Sequence, residues 1–165
     1  MQFEKQEIPL DTIDSRDQTC RVSSFVDPDW IDALAASIDR LGLLQAPWII
    51  EKGPHRRIVS GFRRIAACRR LDREKITCRM LGPETPVRAY VQLAVAENAW
   101  QRPLNLMEKA RAFALLEKSF LKSSRLAEIA NSLGLVENPT MIEKLVCLTR
   151  LPAAVQIAVE TGSLG

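Results

Sequence analysis

Two adjacent arginines stand where the start of a helix disfavours them. In "SGFRRIAACRRL", Ser60 to Leu71, the Ser60-Gly61 pair reads as a helix opening. Arg63 and Arg64 then fall in the first turn, beside outward-pointing N–H groups and the positive end of the helix dipole. Cations there cost about 0.3 to 1 kcal/mol each. A bound phosphate would reverse the sign of that local field. A strand ending at Val59 and turning through glycine into a helix aims backbone N–H groups at an anion, glycine admits close approach, and guanidinium forks grip phosphate oxygens. Two solvated arginines on an exposed helix would satisfy the same letters. The stretch "ENAWQR", Glu97 to Arg102, poses the mirror problem: Glu97 lies near a helix C-terminus, the negative end. A carboxylate and a neighbouring carboxamide, Glu97 and Asn98, are oxygen donors suited to Mg²⁺, which accompanies phosphates. The structural alternative pairs Glu97 with Arg102 or Arg88 and leaves Asn98 to cap the helix.

The elements that must position these groups follow from pattern. "EIPLDTI" reads as a short first strand. A helix follows with Asp27 as N-cap, Pro28 at its first position and Gly42 to stop it. Trp30, Leu34, Ile38 and Leu41 fall on one face and are expected to be core. "PWII" and "RRIV" around Gly53-Pro54 read as a hairpin, and "ITCRML" as a further strand. After Gly82-Pro83 only helical patterns remain, which sets an expected boundary between residues 1–83 and residues 84–165. "VRAYVQLAVAEN" forms a helix that ends before Pro103. "NLMEKARAFALLEKSF" opens with Asn105 as cap and Glu108 three residues on, a capping box. Three short helices complete the chain. The expected class is α+β: a small α/β unit followed by an all-helical one.

Composition narrows the function. With 47% hydrophobic residues in 165, the chain buries a real core. No apolar run approaches the roughly 20 residues of a membrane span, and the first residues lack a signal peptide's apolar core, so a cytoplasmic location without a membrane partner is expected. Cys20, Cys68, Cys78 and Cys147 form no CxxC pair, which predicts reduced thiols and no zinc knuckle. His55 is the only histidine. The net charge of +3 is unevenly spread: Pro54 to Arg79 holds nine basic residues against two acids, a local +7, whereas Ser123 to the end holds three against four, or −1. The basic stretch predicts an anionic partner.

Together the Gly-x-Arg-Arg helix start, the "GLLQ" helix end before it at Gly42 to Gln45, "ENxxQR" and "LNLMEKARAF" resemble the ParB/Spo0J/Noc family of chromosome- and plasmid-partition proteins. The resemblance spans nearly the whole chain, from "EIPLDTI" to "LPAAVQIAVETGSL". It implies a ParB/sulfiredoxin-like α/β domain that binds CTP with Mg²⁺, and a helical domain with a helix-turn-helix that binds a centromere-like DNA site. Gln45, Gly61, Arg63 and Arg64 would hold the triphosphate; Glu97 and Asn98 would engage metal and phosphates, with Gln101 and Arg102 completing the motif. Nucleotide binding in relatives closes a dimer into a DNA clamp, and a ParA-type ATPase is the implied partner. On DNA, the implied contacts are Arg125, Thr140, Lys144 and Arg150.

The departures bear on mechanism. Relatives usually carry Gly-Glu-Arg-Arg, whose Glu is implicated in CTP hydrolysis. Phe62 occupies that position and can neither orient a water nor accept a proton, so weak or absent CTPase activity is expected. The family "LQP" becomes "LQAP", which shifts the proline to Pro47. "LAEIANSLG" fits a first helix-turn-helix helix, but "LVENPT" makes the turn about five residues longer than the family's, leaving a degenerate motif. Asn138 and Pro139 start the next helix and would present Thr140, Glu143 and Lys144 to a groove. Relatives continue into further helices and a dimerisation unit, so Gly165 is expected to be an internal end. Cys68 is expected to face core, which sets aside sulfiredoxin-type redox chemistry. Two other functions stay open: a nucleotide-using enzyme of the same fold (ATPase, kinase or nuclease), and a regulator that has lost nucleotide binding.

Overall fold

The computed structural model describes residues 2–23, 27–52, 55–120 and 126–163. The chain forms two compact units: Met1–Cys20 with Val26–Thr85, and Arg21–Phe25 with Pro86–Gly165.

The first unit is built on a mixed five-stranded sheet. Its strands are β1 (Glu4–Pro9), β2 (Ile13–Asp14), β3 (Trp48–Lys52), β4 (His55–Ser60) and β5 (Lys75–Leu81), in the spatial order β1-β5-β3-β4-β2. Pairing is antiparallel for β1 with β5 and for β3 with β4, and parallel for β3 with β5 and for β2 with β4. "EIPLDTI" is therefore not one strand. Pro9, with no N–H to donate, closes β1, a 3₁₀ turn follows at Leu10–Thr12, and the chain re-enters the sheet's other edge as β2. The β3/β4 hairpin forms as its pattern predicts; its Gly53-Pro54 turn lies outside the described residues. Alternation along β5 places Ile76, Cys78 and Met80 in the core.

Helices α1 (Pro28–Leu41) and α2 (Phe62–Arg70) pack together. The Asp27 side chain accepts from the Asp29 N–H at 3.0 Å, and the Gly42 N–H closes α1 on the Ile38 carbonyl at 2.9 Å. The buried stripe of α1 is not the expected one. Ile31, Ala35 and Ile38 enter the core with Leu34 partly buried, while Trp30 and Leu41 are 46% and 56% exposed. Following the bulkiest apolar residues rotates the face by about one position. At the far end of α2, the Arg69 guanidinium donates to the Leu10 and Ile13 carbonyls at 3.0 and 2.8 Å, tying the 3₁₀ turn down.

The second unit is helical: α3 (Val87–Gln101), α4 (Leu106–Phe120), α5 (Leu126–Ser132), α6 (Pro139–Leu148) and α7 (Ala153–Thr161). The other four pack against α4, whose Met107, Ala110, Phe113 and Leu116 are buried. Its capping box is complete: the Glu108 N–H donates to Asn105 Oδ1 at 2.9 Å, and the Asn105 N–H donates to Glu108 Oε2 at 3.0 Å. Glu108 is only 1% exposed and accepts from both terminal nitrogens of the Arg102 guanidinium, Nη2 and Nη1, at 2.5 and 2.8 Å. A second pair, Arg111 with Glu160 at 2.9 Å, joins α4 to α7.

Burial pushes the Glu108 carboxyl up, but hydrogen bonds from Arg102, the Asn105 N–H and Ser23, with the charge of Arg102, outweigh it and hold the group below its ordinary value of 4.5. Its stabilising contribution is therefore complete above that ordinary value and is lost as pH falls through the lowered one. Arg102 is nearly half exposed, which screens the pair. Glu108→Gln is expected to cost about 1 to 2 kcal/mol at pH 7 by urea unfolding, with the difference from wild type shrinking below about pH 4.

Candidate functional site

Half of the residues singled out in the sequence for phosphate binding gather at the start of α2. Strand β4 ends at buried Ser60, and Gly61 takes a left-handed conformation, φ 96° and ψ 25°, as the N-cap. A Cβ at residue 61 would stand 2.6 Å from the Cβ of Pro47 and 3.0 Å from its Cα. Both the backbone angle and the neighbour therefore demand glycine. The helical ladder begins with the Ile65 N–H to the Gly61 carbonyl, 3.1 Å, so the N–H groups of residues 62–64 precede it at the positive end of α2. Arg64 Nη1 donates to the Gln45 carbonyl at 3.0 Å, and the Arg63 guanidinium lies over the Trp30 ring, 4.8 Å from its centroid.

Gln45, Gly61, Arg63 and Arg64 are thus brought together within the first unit. Gln45 enters through its backbone. The displaced proline of "LQAP", Pro47, is the residue that seats against Gly61. Trp30 is the participant that spacing hid, because an aromatic in an apolar helical pattern reads as core. Stacking on its face holds the Arg63 guanidinium in place. Phe62 packs partly buried against the core of the first unit, so its ring serves packing where a carboxylate would meet water.

The other half of the predicted set lies on the second unit. Glu97, Asn98 and Gln101 are on the last turns of α3, and Glu97 and Asn98 are half-buried. Asn98 Nδ2 donates to the Ala94 carbonyl at 2.7 Å, which assigns the amide and leaves Oδ1 as an acceptor. Arg102 turns out of the helix with an extended backbone and takes Glu108 as its bidentate partner. Among the described residues no group of three or more His, Cys, Asp or Glu gathers as a metal cage. One carboxylate and one carboxamide oxygen instead fit an ion that completes its shell with water and substrate phosphates, as Mg²⁺ does.

Of the residues expected to meet DNA, Thr140 and Lys144 are exposed on α6 beside Glu143, while Ile142, Leu145 and Val146 turn inward. Arg150 is exposed just beyond the helix, and Arg125 lies outside the described residues. Asn138 caps α6, its side chain accepting from the Met141 N–H at 2.9 Å, and Pro139 is the first helical residue. Gly134, at φ 82°, turns the chain between α5 and α6 beneath the Trp100 ring, which a Cβ there would meet at 3.4 Å. Burial pushes the thiols of Cys20 and Cys78 up to about 12 and raises that of Cys68, which is fully buried, whereas Cys147 is exposed. No helix among the described residues is long and apolar enough to cross a membrane.

Comparison with known proteins adds four findings. The family model described as ParB N-terminal domain matches residues 2–99. A probable chromosome-partitioning protein ParB of Vibrio cholerae serotype O1 is 29% identical over 140 residues, covering 83% of this chain and 45% of the relative. The corresponding protein of Pseudomonas putida is 27% identical over 140 residues, covering 84% and 46%. The chain thus spans less than half the length of these relatives. Two crystal structures of C-terminally truncated ParB from Caulobacter crescentus share the fold. The one complexed with CTP-gamma-S has a TM-score of 0.50 at 23% identity, covering 98% of this chain and 87% of that one. The one complexed to the centromeric parS site has a TM-score of 0.54 at 21% identity, covering 97% and 80%.

Gly61→Ala is expected to lower stability by about 2 kcal/mol, because it strains a left-handed position and drives a methyl into Pro47. Chemical denaturation checks this, with Gly42→Ala as the comparison: its φ of 76° carries the same strain, but no atom lies within 4 Å of its added Cβ.

Proposed function

This chain belongs to the ParB N-terminal domain family, and from that premise we propose that it is a partition protein whose first unit is a CTP-responsive switch controlling its hold on DNA. The observation that carries the reading is the α2 start, where a left-handed glycine, two first-turn arginines and the Gln45 backbone meet. Positive charge at the positive end of a helix is costly until a polyanion arrives. The complexes of the Caulobacter relatives with CTP-gamma-S and with parS support the choice of ligands.

In this reading residues 1–83 form the nucleotide-binding domain and residues 84–165 the DNA-binding one, with a helix-turn-helix formed around α5 and α6. Gln45, Gly61, Arg63 and Arg64 hold the phosphates. Glu97 and the Oδ1 of Asn98 supply oxygens to a Mg²⁺, whose role is to neutralise phosphate charge. Gln101 and Arg102 shape the end of α3, Arg102 through its bond to Glu108. Thr140, Lys144, Arg150 and Arg125 contact the DNA. The complete protein acts as a homodimer that closes on DNA in the cytoplasm, at the nucleoid, and answers to a ParA-type ATPase. Phe62 makes the switch slow to reset, because no side chain at that position activates water.

Calorimetric titration with CTP, ATP and GTP in Mg²⁺ tests the reading. CTP is expected to bind selectively, and the Arg63→Ala/Arg64→Ala double variant to lose at least about 100-fold in affinity, the scale of two charge-assisted contacts to phosphate. Failure of every nucleotide to bind would sink the switch and leave the regulator that has lost its ligand. Phosphate release is expected to be near background for the wild type and to rise in Phe62→Glu.

A further inference from the structure

Most of the basic stretch between Pro54 and Arg79 is already engaged by other groups of the first unit. Arg57 pairs with Asp17, Arg70 with Asp32, and Arg69 with two backbone carbonyls; Arg56 reaches Thr12 and Glu51. Arg63 and Arg64 belong to the cradle already described. Lys75 is different: it is exposed and, among the described residues, its side chain has no ion pair or hydrogen bond, and the same holds for the side chain of Lys5 on the neighbouring strand.

These two lysines line one groove of about 320 Å³ in the first unit, together with Arg73 and Arg79. Strands β1 and β5 form one side, and the segment leading into β3 supplies the other with Leu44. Among the described residues of the lining, Glu7 is the only carboxylate against four cations. Lys5 is directly opposite Arg79 in the β1/β5 register, and Lys75 is opposite Pro9, four residues along. Arg79 is held in place by aromatic rings, with Phe3 at 5.8 Å and Trp48 at 5.1 Å from its guanidinium. Its Nε is the one buried side-chain nitrogen or oxygen among the described residues with no hydrogen-bond partner. An orphaned buried donor beside unpaired cations is a combination that a bound anion resolves.

The spacing decides what kind of anion. Four residues of strand separate Lys75 from Arg79, about 13 Å. A single phosphate cannot reach both ends, whereas successive phosphates of a backbone can. Lysine heads on flexible stems follow such a backbone without demanding one geometry. We propose that this groove is a second phosphate-binding site, which takes the sugar-phosphate backbone of duplex DNA without reading its sequence. It is separate from the α2 cradle and does not depend on nucleotide binding there.

The test is fluorescence anisotropy of the whole chain with a random-sequence duplex over a range of KCl concentrations, comparing wild type with Lys5→Ala/Lys75→Ala. Neither lysine has a partner to lose, so the thermal unfolding curve serves as the control for folding. Each phosphate contact contributes about 0.9 to the slope of log K against log salt. The double variant is expected to have a slope shallower by about 2 and an affinity lower by tenfold or more at 0.1 M salt, with its CTP titration unchanged. An unchanged slope and affinity would overturn the proposal. So would the opposite split, in which duplex binding persists but binding of pyrophosphate or CTP is lost, since the groove would then serve a small phosphate compound. Failure of the cradle to bind CTP would leave the comparison intact, because its readout is the duplex alone.

Discussion

The left-handed backbone at Gly61 is the constraint on which the rest of the first unit's chemistry depends. It lets the chain turn from buried Ser60 into α2 while Pro47 closes against it. That closure carries the preceding segment with it: Arg64 holds the Gln45 carbonyl from α2, and the Arg79 N–H holds the Pro47 carbonyl from β5 at 2.8 Å. One residue without a side chain thus sets the relation among β4, α2, β5 and the entry to β3. A side chain at that point would disturb the phosphate cradle and, through the same segment, one wall of the basic groove.

The arginines of this protein work inward as much as outward. Arg69 and Arg73 donate to carbonyls at the ends of other elements, and Arg57 holds Asp17. Burial raises the Asp17 carboxyl, but hydrogen bonds from Thr19 and Arg57 bring it below its ordinary value of 3.8. In the helical unit Arg102 holds Glu108 and Arg111 holds Glu160 as ion pairs. A planar guanidinium with five donors can satisfy several acceptors at once, so a high local charge in the sequence is partly a measure of loop fastening.

What was legible in the sequence was local. Asp27 with Pro28, Asn138 with Pro139, and the Asn105–Glu108 box each act within one helical turn, and each forms as its spacing requires. The burial of Cys68 follows from its place between Ile65 on α2 and Leu71, which caps that helix. The misses were tertiary. Which face of α1 is buried depends on how it meets α2 and the sheet, and bulk alone put Trp30 and Leu41 in the core. The split of "EIPLDTI" between two opposite edges of one sheet depends on β4 and β5, far along the chain. Helical spacing offers Glu97 as a partner for Arg102, whereas the chain after Pro103 brings Glu108 to it. At the candidate site, the residue types and their places on elements were readable. The stacking of Arg63 on Trp30 and the seat of Gly61 on Pro47 were not, because both join residues more than ten positions apart.

The division of the chain has a consequence for how such a protein can be taken apart or recombined. Residues 21–25 group with the helical unit although the chain on both sides of them belongs to the first. The link is specific: buried Val22 offers its carbonyl to Arg111 at 3.5 Å, and the Ser23 side chain bonds Glu108. A fragment ending at Thr85 would keep that segment and lose what it docks on, while a fragment beginning at Pro86 would leave Glu108 and Arg111 short of acceptors and donors. Exchange of either half between relatives by a single crossover would therefore transplant a mismatched plug. Val22 and Ser23 lie within the first unit's stretch of sequence and bond to residues of the second.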